Sequence, residues 1–323
     1  MHKNADLSPP APVSLRSAFW YWLKLGCVSF GGPAGQIAMM HAELVEKRRW
    51  ISEQRFLHAL NYCMLLPGPE ATQLAIYIGW LMHRTRGGIL AGLLFLLPSL
   101  LLLIVLSWLY MAYGHVAAIA GVLYGVKPAV VAIVVAAAWR LGRRTLRSPG
   151  LMSIAAAAFV AIVALQLPFP LIVLGAALLG MAGGRWLPGQ FHAGGAAHGG
   201  TARHAPALID DDTPTPEHAR FTWPRLLAMA SLGVALALLA WLALALLGGK
   251  DQPLAQMGVG VRKVASLTVG GAYGVLAALV QGAVEQYHWI TSAQMMDGLA
   301  LGETTPGPLI MIVAFIGFVG GWS

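Results

Sequence analysis

The sequence predicts an all-α integral membrane protein, a polytopic helical bundle in which a broken helix and a Pro-Gly-Pro elbow occur twice as inverted repeats, the second of them truncated. Three observations carry this. The chain is 58% hydrophobic and only 11% charged, whereas about a quarter of the residues of soluble domains are charged. Its apolar runs reach the roughly 20 residues needed to cross the hydrocarbon core of a bilayer. Sliding the chain by 239 positions superimposes Gly31-Gly32 on Gly270-Gly271, Gly35 on Gly274, Val45-Glu46 on Val284-Glu285, Trp50-Ile51 on Trp289-Ile290, and Pro67-Gly68-Pro69 on Pro306-Gly307-Pro308. From Gly31 to Pro69 this makes 12 identities in 39 positions, concentrated on Gly, Pro, Glu and Trp, which chance apolar similarity does not favour.

In chain order, residues 1–188 form the first repeat, with about six spans. Met1 to Val13 is polar and Pro-rich without an apolar core, so no cleaved signal peptide is expected. The first span, Phe19 to Met40, is interrupted by Gly31-Gly32-Pro33-Ala34-Gly35 and reads as two half-helices. Glu43 to Leu60 is charged and amphipathic and suits an interfacial helix anchored by Trp50. A span then runs from the Pro-Gly-Pro elbow to Met82, followed by Gly88 to Tyr113 and by Val116 to Trp139, which contains Lys127-Pro128. Leu151 to Leu167 and Leu171 to Ala182 read as a hairpin around Pro168-Phe169-Pro170, with one kinked helix as the alternative. Residues 189–224, rich in Gly, Ala, His, Pro and Thr, are expected to be a disordered linker whose histidines make a solvated tether rather than a metal site. Residues 225–323 hold about three spans: Leu226 to Leu247, the second broken helix Val264 to Ala283, and Gly302 to Trp322 after the second elbow.

The net charge of +8 comes from short basic clusters between apolar runs, which orient a membrane protein and argue against nucleic-acid binding. With Met1 inside, Arg84, Arg86, the cluster Arg140 to Arg147 and Arg185 share the cytoplasmic side. Seven spans then separate the two copies and invert the second; a fused Leu151 to Ala182 helix would make them parallel. Cys27 and Cys63 lie in apolar segments and read as small core residues, so neither a disulfide nor a metal is expected. With no cysteine pair, flavin fingerprint or metal-ligand cluster on the helices, no cofactor and no enzymatic activity are expected.

Chemistry is expected at the elbows. Pro removes a backbone donor and Gly permits unusual dihedrals, so Pro-Gly-Pro at membrane depth breaks a helix and frees polar backbone that hydrocarbon cannot satisfy. Such backbone persists only where protein buries it or it lines a cavity, and paired broken helices in inverted repeats mark a transporter's substrate site. The helix after each elbow aims unpaired amides and a positive dipole end at that cavity, which suits an anion. The substrate-binding candidates are therefore Gly31, Gly32, Pro67, Gly68, Pro69, Thr72, Gln73, Gly270, Gly271, Thr305, Pro306, Gly307 and Pro308. Lys127, near mid-span, is the candidate counter-charge, Glu70 and Glu303 are candidates for proton coupling, and Lys24 is close enough to a span end to snorkel.

The run Phe30-Gly31-Gly32-Pro33-Ala34-Gly35-Gln36, the Glu43 to Trp50 segment, Leu66-Pro67-Gly68-Pro69 with Thr72-Gln73, and the second-half Gly270-Gly271 and Thr305-Pro306-Gly307-Pro308 together resemble the chromate ion transporter (CHR) family. The resemblance implies a multi-pass protein of the bacterial inner membrane, with two homologous halves in opposite orientation, that exports chromate, with sulfate as the related oxyanion and proton coupling or membrane potential as the drive. By the 239-residue offset a full second half would end near position 425, beyond Ser323, so the expectation is either a truncated fragment or a chain that completes itself with another copy as a homodimer.

Overall fold

Caps and backbone breaks, more than helix propensity, set the element boundaries. The computed structural model describes residues 10–30, 32–114, 116–117, 148–165, 167, 169–186, 206–214, 216–248, 253–267 and 272–322, with scattered positions between 121 and 146. Among these residues the regular elements are helices: Leu15–Val28 (α1), Gly32–His41 (α2), Glu53–Leu65 (α3), Glu70–Tyr113 (α4), Pro149–Val163 (α5), Phe169–Trp186 (α6), Trp223–Gly248 (α7), Pro253–Leu267 (α8), Ala272–Val280 (α9), Ser292–Thr304 (α10) and Ile312–Trp322 (α11). The Oγ of Ser14 caps α1 by accepting from Ser17 N, and that of Ser52 caps α3 by accepting from Arg55 N. Thr291 and Gln294 cap α10 reciprocally, which satisfies two amides that the first helical turn leaves open.

The boundaries of α1 to α3 return in α8 to α10 at the 239-residue offset. The π-helical turn Ala42–Lys47 recurs as Gln281–Gln286, and α3 at Glu53–Leu65 as α10 at Ser292–Thr304. Arg49 (φ 52°) and His288 (φ 50°), two non-glycine residues in the left-handed region, occupy equivalent positions although their side chains differ. A backbone conformation that costs free energy in both places is held by its surroundings rather than by residue type.

Residues 1–120 and 204–323 form one compact unit and residues 121–203 another. In the first, α4 leaves helical geometry at His83 and Arg84 and folds back on itself. Gly79 faces the carbonyl of Gly87 and the methyl of Ala91 so closely that no Cβ fits there, and the arms 70–82 and 85–113 run antiparallel. The second arm, about 43 Å long, exceeds the ~30 Å hydrocarbon core. Trp22, Met40, Leu44, Phe56, Leu74 and Phe95 form one fully buried core; Leu279, Ile290, Ile312, Phe315 and Ile316 form a second. Residues 223–243 of α7 are also long and apolar enough to span, and none of their apolar window is buried by protein. In the second unit α5 and α6 lie side by side, with the Oγ of Ser148 accepting from Leu151 N at the start of α5.

Two expectations change. The segment after Glu43 is not one interfacial helix: α3 begins at Glu53 and buries Phe56, Ala59 and Cys63. Residues 206–219 are not a contactless linker, because Ile51 and Ile209 form a β-bridge, with Ser52 N donating to Ile209 O at 2.9 Å and Ile209 N to Trp50 O at 3.1 Å. The Oγ of Ser52 donates to Asp211, Arg55 donates to the carbonyls of Asp211 and Thr213, and His218 stacks edge-on against Trp80. Ala207 and Ile209 are buried, so two apolar side chains in a polar stretch suffice to dock it as a strap. His192, His198 and His204 lie outside the described residues.

Ile209→Ala is expected to cost about 2–5 kcal/mol, read as a lower thermal midpoint and faster cleavage of the strap by added protease. A second expectation concerns Glu43, whose carboxyl accepts from Arg48 Nε at 2.9 Å and pairs with Lys47 Nζ at 3.2 Å. The Arg48 hydrogen bond, opposed by partial burial and aided by Lys47, holds the carboxyl below its ordinary value. A lowered folded-state value gives stability that is fully present above the unfolded-state value of about 4.3 and is lost as pH falls through the folded-state value. Glu43→Gln should therefore lower the thermal midpoint equally at pH 6 and pH 8, with the difference from wild type shrinking below about pH 4.3 and lost once the pH has fallen through the folded-state value.

Candidate functional site

Each Pro-Gly-Pro is the tip of a helical hairpin. In the first hairpin α3 lies antiparallel to the 70–82 arm of α4, with the Tyr62 and Tyr77 ring centroids 6.2 Å apart. In the second, Gly298 of α10 faces Phe315 of α11 and Gly302 faces Ile312, nearer the tip. The first helix of each hairpin has 13 residues, about 20 Å, which is too short to cross hydrocarbon. Gly68 (φ 113°) and Gly307 (φ 114°) make the reversals at a φ that side chains avoid. The flanking prolines have no amide hydrogen, which leaves fewer donors to satisfy at the tip.

The second arm of α4 is the surface on which both hairpins lie. Gly87 and Gly92 contact Gly79 and Ile76 of the first hairpin. Ser99 meets Gly307 at the tip of the second hairpin, and Tyr110 packs on Phe315 at 5.3 Å while its hydroxyl donates to Asp297 at 3.1 Å. Between these levels a cavity of about 390 Å³ is bordered by Pro69 and Thr72 of the first tip, Leu96 and Leu100 of α4, and Ile310 and Met311 of the second tip. Among the described residues its lining is apolar except for Thr72, a buried residue whose Oγ1 has no hydrogen-bond partner there. The 70–82 arm starts at Pro69 without a side-chain cap, so its first amides face the tip region.

The two tips are held differently. Gly307 N donates to Ser29 O at 2.8 Å, and Gln36 Nε2 donates to Gly307 O at 2.6 Å; Ser29 lies at the break between α1 and α2, and Gln36 lies within α2. Any Cβ on Gly307 would collide with Ser99. Ser29 Oγ and Gln36 Oε1 are buried and have no hydrogen-bond partner among the described residues, which places two open polar atoms beside this tip. The first tip braces itself: Gln73 Nε2 donates to Pro67 O at 2.6 Å, and Leu65, Leu66 and Pro67 are exposed. At the 239-residue offset Gln36 corresponds to Val275 and Gln73 to Ile312, so neither bond is repeated in the other half.

Of the residues singled out from sequence, Pro69, Thr72, Gln73, Gly307 and Pro308 are at or beside the meeting of the tips, and Pro67, Gly68, Thr305 and Pro306 complete the reversals. The hydroxyl of Thr305 donates to Gly302 O and that of Thr304 to Ala300 O, so their protons brace α10. Glu70 begins α4, half-buried, and Glu303 lies half-buried near the end of α10. Gly32 opens α2 at φ 68°, and Lys24 is exposed on α1. Gly31, Lys127, Gly270 and Gly271 lie outside the described residues. Ser29, Gln36 and Ser99 were missed as site residues; isolated polar side chains inside apolar runs were the available signal.

A family model described as chromate transporter matches residues 16–181 and 255–323. The chain is similar to the chromate transport protein of Pseudomonas aeruginosa, at 34% identity over 317 residues covering 97% of this chain and 68% of that one. It is also similar to the chromate transport protein of Cupriavidus metallidurans, at 30% identity over 95% of this chain and 68% of that one. The probable chromate transport protein of Synechococcus elongatus shows 29% identity over 95% and 69%, respectively. No solved structure matches the chain.

Gly307→Ala should destabilise the fold more than Gly68→Ala. Both place Cβ at an unfavourable φ, costing about 1–3 kcal/mol, but at Gly68 the new atom meets only the end of the Gln73 side chain, whereas at Gly307 it meets Ser99. Gln36→Ala leaves a buried carbonyl without its donor and should cost about 1–3 kcal/mol. Thermal midpoints of the three variants in one detergent give the ranking.

Proposed function

Because the chain belongs to the chromate transporter family, whose members are membrane transport proteins, we propose that it is a secondary transporter that exports chromate, with sulfate as the related oxyanion, across the bacterial inner membrane. The observation that carries the reading is the meeting of two Pro-Gly-Pro tips on one membrane-length helix, with the Thr72, Ser29 and Gln36 polar atoms open beside them. Moving along the second arm of α4, the first hairpin packs at Gly87 to Gly92, the tips at Leu96 to Leu100, and the second hairpin on to Tyr110. Two hairpins approaching from opposite ends of a spanning helix support inverted repeats in a multi-pass protein.

In this reading the oxyanion passes between the tips near the bilayer midplane. A dianion loses most of its hydration there, and each helix N-terminus compensates about half an elementary charge, so about one charge is left to neutralise. Lys127 is assigned to it. Glu70 and Glu303, each at a tip, are assigned to proton coupling, with the membrane potential as the alternative drive. A homodimer is the assigned assembly.

Everted vesicles should accumulate chromate above its external concentration when energised and lose it on collapse of the proton gradient and potential; equilibration without accumulation would make the protein a channel. Lys127→Gln should abolish accumulation in a well-expressed protein, while Lys24→Gln should leave it unchanged. With both native cysteines replaced by serine, cysteines at Gln54 and Ala293, at the bases of the two hairpins, should label from opposite sides of the membrane. Labelling from one side would exclude the inverted arrangement.

A further inference from the structure

The outer face of the first hairpin carries a second and larger cavity, of about 600 Å³, which the transport reading does not use. Its walls are Tyr62, Ile76, Tyr77 and Trp80 of the hairpin, with Phe221 just before α7 and Met229 within it. It reaches along the hairpin to Leu66 and Gln73 beside the tip. His58, His218, Arg220 and Arg225 contribute to its other end, and among the described residues no acidic side chain lines it. The volume lies in the range of about 300–1,000 Å³ found for small-molecule sites.

The cavity is built rather than left over. Arg225 donates to the carbonyls of Glu217, His218 and Arg220 and so fixes the turn that closes the basic end. A ring nitrogen of His218 lies 3.1 Å from Trp80 O, which ties that turn to the hairpin. Phe221 and Trp223, both exposed, flank the start of the apolar α7, the position that aromatic-belt residues take at the end of a span. The basic end therefore faces the headgroup layer, and the apolar floor runs inward toward the depth of the tip.

An elongated apolar gallery with cations at its interfacial end and acids absent from its lining fits one class of ligand. A small hydrated oxyanion would lose hydration along aromatic walls with nothing in return, and a zwitterionic lipid would bring a positive charge to Arg220 and His58. We propose that this cavity is a binding site for an anionic phospholipid, its phosphate held by Arg220 and His58 at the rim and one acyl chain lying along Tyr62, Ile76 and Tyr77. The strap thereby acquires a role: it supplies the headgroup end of the site. The inference is independent of which ion the protein transports.

Purified protein mixed with equal amounts of phosphatidylglycerol and phosphatidylcholine, then washed with detergent, tests this by native mass spectrometry. Wild type should retain phosphatidylglycerol about tenfold over phosphatidylcholine. Arg220→Gln, at an exposed residue that leaves the Arg225 anchor intact, should cut that preference about fivefold. Met229→Trp, also at an exposed position, should fill the gallery and lower retention of both lipids, and an unchanged thermal midpoint in phosphatidylcholine would verify folding of both variants. Equal retention of the two lipids by wild type would overturn the proposal, whatever the variants do. So would displacement of phosphatidylglycerol by millimolar inorganic sulfate or phosphate, which would mark a plain anion site, or unchanged retention by Met229→Trp.

Discussion

A chain that reverses between two packed helices must satisfy its own backbone at the turn, and the structure is organised around meeting that demand at Pro67-Gly68-Pro69 and Pro306-Gly307-Pro308. A buried amide or carbonyl left open costs about 1–3 kcal/mol unless protein or water supplies a partner. Proline removes donors, and glycine permits the reversal. The remaining groups are met by Ser29 O and Gln36 at one tip and by Gln73 at the other. The second arm of α4 brings these pieces together, because small residues along it, Gly87 and Ser99, let backbone approach backbone.

The repeat is conservative in backbone and liberal in side chains. Matching π-helical turns and matching left-handed residues at Arg49 and His288 persist although the residues differ. The bonds that secure the tips are not shared. Gln36 reaches across 271 positions to Gly307, while its counterpart Val275 has no amide to offer Gly68. The first tip, with exposed Leu65, Leu66 and Pro67, depends on a local bond to Gln73, and the second on bonds to Ser29 and Gln36. Symmetry in the helices thus coexists with asymmetry where substrate is proposed to pass.

Composition determined much of this by itself. In a bilayer a chain pairs its backbone as helices or a closed barrel, and apolar runs of about 20 residues select helices, while Gly-Gly and Pro-Gly-Pro at a constant offset mark a duplicated break. Helix ends at Ser52 and Thr291 were equally local matters of capping. Tertiary structure decided what local pattern does not encode. Whether the helix before an elbow lies on the surface or folds back as a hairpin depends on Phe56 and Cys63 finding a core, and amphipathicity is the same in both cases. Residues 206–219 read as a tether because their composition is polar, yet Ile209 finds Ile51 and the segment docks. Gln36 and Ser99 looked like isolated polar residues in apolar runs, and their importance rests on Gly307, far along the chain, coming within hydrogen-bond and contact distance. Sequence patterns report on neighbours within a few residues, whereas a site between two hairpin tips is made of partners chosen by the packing of the whole unit.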